Sequence, residues 1–368
     1  MNICSPQLGL SKKSILGGEV FDFEILSALA RKGVKVNVLL PKNAPHSKIR
    51  NIHYSFSAFA HFPAVLFNLL VIPYLLNQNS KNKIEIIRLH QPQFVGLAAM
   101  FFKLFNPNVK IVATYHQSGE SNFTIFSKIV NRYWDHIICD SFAVKEKLVT
   151  AFDLSENKIT VVHNGIPQYL RPGIKDKRLF KKYNLLGQKV LLYMGLFIDR
   201  KNPLFLLSVL KELNDNGQKT VLMYWGRGPL KSKIIREAKK LGLENKIIFV
   251  NPMYGAKKRL IHNLADVFVH PALDEGFALT PLEAMACGKP VIMNSSHSAK
   301  EAVDNNVNGF LCKTNNVDSW TQAINSLLTN NAKLLQFGKS SRKKAIAEFN
   351  WKKSTDKHFK VFKNLTSC

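Results

Sequence analysis

A chain of 368 residues with 46% apolar side chains can bury a core large enough for two domains, and nothing in it reads as disordered. Its 52 Lys and Arg against 25 Asp and Glu give a net charge of +27, which suits anionic partners such as nucleotides, membrane surfaces or nucleic acid, and equally a solvated Lys-rich surface. Five scattered cysteines without a CxxC pair point to neither a zinc site nor a disulfide framework.

The chain opens without a basic stretch leading into an apolar one, so a cytoplasmic location is expected. Asn2 to Ser5 reads as a first strand. A loop ending in Gly17-Gly18-Glu19 follows, then a helix from Val20 to Lys32 and a strand from Val34 to Leu40. Strand, glycine loop and helix form a βαβ start in which paired glycines let backbone N–H groups approach a phosphate at the helix N-terminus. A tight turn alone also accounts for the glycines.

Residues 51 to 80 carry no Asp, Glu, Lys or Arg, and Ala64 to Leu76 is almost wholly apolar. The run is shorter than the roughly 20 residues of a membrane span, so a buried helix of the first domain is predicted in preference to a monotopic membrane contact. Strands follow at Ile84 to Leu89, Val109 to Tyr115, His136 to Asp140 and Ile159 to Val162. His90, His116 and His163 each come directly after a strand, on the ligand-bearing edge of a parallel sheet, and His90 and His163 in particular also read as structural histidines.

Turn residues and lost periodicity mark 166–186 as a linker. Beyond it the alternation restarts: strands at Val190, Thr220, Lys246, Val267 and Val291, with helices from Asn202 and Leu230. Two strand ends carry polar groups, Gly195 to Asn202 with the adjacent Arg200 and Lys201, and Gly226 to Pro229. Neighbouring guanidinium and ammonium groups suit a diphosphate, and taken alone such a pair equally reads as surface charge.

The densest motif runs from Val267 to Ile292: strand, loop with Glu275, helix with Glu283, strand. Thr280, Pro281 and Glu283 fit N-cap, N1 and N3 of the helix, which is also a capping box in which Glu283 would close back on the N-cap amide. The two carboxylates could in principle flank a sugar as a glycosidase pair does.

Taken together, these residues resemble the retaining GT-B glycosyltransferases of family 4, which use nucleotide sugars. Glu275-Gly-Phe-Ala-Leu and Glu283-Ala-Met-Ala-Cys-Gly-Lys-Pro carry the likeness, with Gly17-Gly18, Thr114-Tyr-His116, Arg200-Lys201 and Asn308-Gly-Phe around them. The resemblance implies an α/β GT-B fold, two Rossmann-like domains whose parallel sheets face an interdomain cleft. It places an acceptor domain at 1–165, a linker at 166–186, a donor domain at 187–338 and a helix at 339–368 crossing back to the first domain.

It further implies catalytic roles for His116, Arg200, Lys201 and Glu275. Donor binding falls to Gly17, Gly18, Gly195, Gly226, Gly276, Phe277, Leu279, Thr280 and Glu283, the last on the ribose. No metal or other cofactor is required, and the donor is a UDP-, GDP- or ADP-sugar. The expected acceptor is a glycan or a lipid-linked sugar, with an anionic membrane surface as a further partner and nucleic acid not favoured. The sequence departs from the family at Leu196, where many members carry Arg. Two other readings are a nucleic-acid-modifying glycosyltransferase and a non-catalytic sugar-nucleotide-binding subunit.

Overall fold

The computed structural model describes residues 1–11, 14, 17–58, 66–90, 92–116, 130–251 and 253–367. They divide into two compact units, Met1–Gly165 with Trp351–Cys368, and Ile166–Asn350.

In the first unit the order is β1 (Asn2–Pro6), α1 (Gly17–Arg31), β2 (Lys35–Leu40), β3 (Ile52–Phe56), α2 (Phe67–Lys81), β4 (Ile86–His90), α3 (Pro92–Phe105), β5 (Lys110–Tyr115), β6 (His136–Cys139), α4 (Phe142–Phe152) and β7 (Ile159–Val161). The strands pair in the order β3-β2-β1-β4-β5-β6-β7, every pairing parallel. Both faces are covered, so successive strand residues serve different cores. Ile86 and Val112 pack with Phe21, Leu26 and Leu29 of α1, while Ile87 and Ile111 pack with Val71 of α2 and Ala98 of α3.

The second unit contains α5 (Lys177–Lys182), β8 (Lys189–Met194), α6 (Phe205–Asp215), β9 (Thr220–Trp225), α7 (Lys231–Lys240), β10 (Ile247–Val250), α8 (Lys258–Leu264), β11 (Val267–His270), α9 (Leu279–Ala286), β12 (Val291–Asn294), α10 (His297–Ala302), β13 (Gly309–Cys312), α11 (Val317–Leu328) and α12 (Asn331–Glu348). Its sheet, β10-β9-β8-β11-β12-β13, is again parallel throughout. The fold is therefore the expected pair of doubly wound, Rossmann-like α/β units. Strand order reverses at β1/β4 in the first unit and at β8/β11 in the second. Ligands of such sheets bind at those switch points, beyond the strands' carboxyl ends.

The tail is two helices instead of one. After α12 the chain passes Phe349, whose ring meets Phe277 at 5.5 Å, and begins again as α13 (Trp351–Thr366). α13 belongs to the first unit, where Phe362 is buried among α1 residues and Asp356 pairs with Lys32 at 2.8 Å.

Three further expectations change. The strands β3 and β13 are additional; β3 has only Ile52 buried and β13 is four residues long, so neither shows a clear period. α1 begins at Gly17, three residues earlier than expected. The apolar stretch, of which Ala64 and Val65 lie outside the described residues, forms a helix that is only half buried. Val71 and Leu75 face inward, whereas Leu69 is 63% and Leu76 54% exposed.

Candidate active site

The candidate residues form two clusters, one in each unit. In the second unit, β8 ends at Met194 and β9 at Trp225, and Gly195 N–H donates to Trp225 O at 3.0 Å. Gly226 follows at φ +154°, and a Cβ there would fall 1.9 Å from Gly195 O. Only glycine permits these two strand ends to run so close.

A single 3-10 turn, Asp199–Lys201, then presents Arg200 and Lys201 toward the loop after β11. Loop and turn hold each other. Leu273 N–H donates to Arg200 O at 2.9 Å, and Arg200 Nη1 donates to Asp274 O at 2.7 Å. Asn294 Nδ2 donates to Pro271 O and Ala272 O, and Ser298 Oγ donates to Glu275 O at 2.8 Å.

Glu275 is thereby brought onto both cations. Lys201 Nζ donates to its Oε2, Arg200 Nη1 lies 3.5 Å from the same oxygen, and His270 Nε2 lies 3.8 Å away. Burial, and then the Arg200 charge, pull the Lys201 ammonium down to about 7, with Asp274 opposing. The same burial, with Lys201 and Arg200 beside it, holds His270 well below its ordinary range and hence neutral. The arrangement is two cations sharing one carboxylate at the β8/β11 switch, where a bound anion could replace that carboxylate.

The second glutamate differs from its sequence reading. α9 starts at Leu279 with Ala278 as N-cap, so Glu283 is the fifth helical residue and closes no capping box. Thr280 Oγ1 instead donates to Met194 O at 3.1 Å, tying α9 to the end of β8. Pro281 is accommodated because the first four helical N–H groups lack internal partners anyway.

Glu283 accepts from Lys258 Nζ, and His262 Nε2 lies 3.7 Å from it. Burial alone would raise this carboxyl, but Lys258 and then His262 hold it below the usual carboxylate range. Lys258 also sits 5.3 Å above the Trp225 ring, next to Gly226. Lys258, His262 and Trp225 were not singled out from sequence. In the run Lys257-Lys258-Arg259 a cation reads as surface charge, and its partner is 25 residues away. Gly276 and Phe277 are buried, and the Phe277 ring packs on Phe349, which anchors it in the second unit.

In the first unit, Gly17 and Gly18 are the first residues of α1, where backbone N–H groups lack helical partners. A Cβ on Gly18 would approach His90 Nε2 to 2.8 Å. His90 Nδ1 lies 3.0 Å from Asp22 Oδ2, and Arg88 Nη2 donates to Asp22 Oδ1 at 2.5 Å, with Arg88 and Asp22 fully buried and His90 partly so. Burial would raise Asp22, yet Arg88 and His90 hold it far below the carboxylate range.

His116 stands beside this group, its ring 4.8 Å from His90 and 4.4 Å from Phe21. Its Nδ1–H donates to Asp140 Oδ2 at 3.1 Å, since a carboxylate can only accept. In the neutral ring Nε2 is then an acceptor, and it is buried without a hydrogen-bond partner among the described residues.

Comparison with known proteins adds family to fold. The profile for Glycosyltransferase Family 4 matches residues 15–168, and that for Glycosyl transferases group 1 matches 175–344. The chain belongs to the GT-B glycosyltransferases. Sucrose-phosphate synthase from Thermosynechococcus elongatus superimposes with a TM-score of 0.84 at 19% identity, over 100% of this chain and 99% of that one. Anabaena HepE in complex with UDP-glucose gives 0.81 at 18%, over 99% and 100%. These likenesses establish the fold.

A GDP-mannose-dependent alpha-(1-6)-phosphatidylinositol monomannoside mannosyltransferase from Mycolicibacterium smegmatis is 29% identical over 182 residues, 48% of each chain. The match thus spans about half the length of that relative.

Proposed function

We propose that this chain is a retaining, metal-independent glycosyltransferase of family 4. It moves a sugar from a nucleotide-sugar donor to a glycan or lipid-linked acceptor, in the synthesis of a cell-envelope or surface polysaccharide at the inner face of the membrane. The first unit takes the acceptor and the second the nucleotide.

The convergence of Arg200 and Lys201 on Glu275 at the β8/β11 switch carries this reading. Breaking the bond between sugar and diphosphate builds negative charge on the leaving group. Two preorganised, largely buried cations stabilise that charge most where water is excluded, and supply what a divalent ion otherwise could. Displaced from the cations by the diphosphate, Glu275 turns to the sugar hydroxyls. Glu283, held ionised by Lys258, accepts from the ribose hydroxyls. The N–H groups of Gly17, Gly18, Gly226 and the 276–280 segment complete the donor contacts, Gly195 lines the donor site with its own N–H committed to Trp225 O, and His116 meets the sugar. HepE is bound with UDP-glucose and the mycobacterial relative uses GDP-mannose, which supports the donor class.

Thermal-shift titration with UDP, GDP, ADP and their sugars tests this. One nucleotide at 100 times its dissociation constant should add about 2.7 kcal/mol to stability. No stabilisation by any of the three would remove the reading.

A further inference from the structure

The helices α2 and α3 are apolar on both sides. Asn68 Oδ1, at the start of α2, accepts from the Ala98 amide in the middle of α3, and Asn79 Nδ2, near the end of α2, donates to Asn106 Oδ1 just past the end of α3, so the two lie side by side and run in the same direction. Their inner faces fill the first unit's core with Val71, Leu75, Ala98 and Phe102. Their outer faces remain apolar: Leu69, Leu76, Phe101, Leu104 and Phe105 are 63%, 54%, 47%, 55% and 84% exposed. A helix apolar all round is expected to be buried all round, and a contiguous exposed apolar ridge marks a binding surface.

Charge identifies the occupant. Between Ile25 and Gly119 the chain carries eleven Lys and Arg and one carboxylate, Glu85. Glu85 is engaged by the amino terminus, and among the described residues Asp135, the next carboxylate along the chain, is held by Lys103 of α3. Lys81 and Lys83 are exposed just beyond Leu76. Two copies of so cationic a region repel each other, whereas an anionic lipid leaflet attracts it.

We infer that the α2–α3 ridge is a docking surface for an anionic phospholipid bilayer, with Leu69, Leu76, Phe101, Leu104 and Phe105 entering the interface and Lys81 and Lys83 meeting headgroups. The ridge lies in the interface plane and spans nothing; among the described residues no helix is long and apolar enough to cross a membrane. This deepens the reading of a transferase with a lipid-linked acceptor and rests on it for its purpose, but its test is independent of transfer.

The test is flotation of the full chain with vesicles of phosphatidylcholine alone and of phosphatidylcholine mixed with phosphatidylglycerol. Wild type should bind the anionic vesicles about tenfold or more over the neutral ones, less at high salt. Leu76→Glu with Phe105→Glu, and separately Lys81→Glu with Lys83→Glu, should each lower binding about tenfold or more while nucleotide thermal shifts stay at the wild-type value. Equal binding to both vesicle types overturns the proposal, as does undiminished binding by the Leu76/Phe105 variant. So does a dimer in sedimentation velocity that this variant dissociates. Failure of nucleotide binding instead counts against the transferase reading alone.

Discussion

Lys201 Nζ is held on Glu275 Oε2, so the cation suited to a diphosphate and the carboxylate suited to a sugar neutralise each other before any ligand arrives. Glu275→Gln should therefore separate binding from turnover. Without the competing carboxylate, free nucleoside diphosphate should bind as tightly as to wild type or more so. Transfer should fall about a hundredfold, the effect of about 2.7 kcal/mol lost from the transition state. Calorimetry with the diphosphate beside steady-state kinetics checks both halves; a parallel loss of affinity and turnover would contradict the exchange.

The position of Lys201 at about 7 makes the site pH-dependent. A base with a depressed value is protonated below it and loses its charge as pH rises through it. For free enzyme, kcat/KM should fall above about pH 7, by up to about tenfold per unit. Bound diphosphate favours the ammonium, so the fall in kcat should come at higher pH. Lys201→Arg keeps its charge throughout and should abolish the falling limb of kcat/KM whatever its absolute rate. A pH profile of the Arg variant parallel to that of wild type would assign the limb to another group.

Asp140 orients His116 through the Nδ1 bond. Asp140→Asn offers that nitrogen either an amide donor or a weaker acceptor and removes the preference for Nε2 as the acceptor atom. Transfer should drop about tenfold, roughly one well-placed hydrogen bond, with nucleotide affinity unchanged. A structural role alone would lower the melting temperature and leave kcat untouched.

Arg88 and Asp22 are fully buried partners. Arg88→Met leaves the Asp22 charge without its main partner and should cost about 3 to 5 kcal/mol in urea denaturation. Adding Asp22→Leu should recover most of that loss. Additive losses in the double variant would mean that the pair is not coupled.

Much of the fold was legible because both parallel sheets bury their strands on two faces, which leaves continuous apolar runs such as Val190 to Met194. The glutamate motif was legible for the same reason, standing between two such runs. What escaped depends on partners far along the chain. Thr280 read as an N-cap, but its hydroxyl goes to Met194, 86 residues earlier, and the helix starts before it. Lys258 gave no signal because only the fold sets it on Glu283 and over Trp225. Composition could show α2 to be apolar, but not that half of it faces outward, since that follows from which layer the sheet leaves uncovered. The buried group around Asp22 was hidden because His90 and Arg88 sit on a strand remote in sequence from α1.

The most direct test of the central claim is nucleotide release from UDP-, GDP- and ADP-sugars by wild type and by the Arg200→Ala/Lys201→Ala variant, both shown to be folded. One donor should be turned over by wild type and about a thousandfold more slowly, or less, by the variant, which lacks both cations for the leaving diphosphate. Equal release by the two proteins would contradict it.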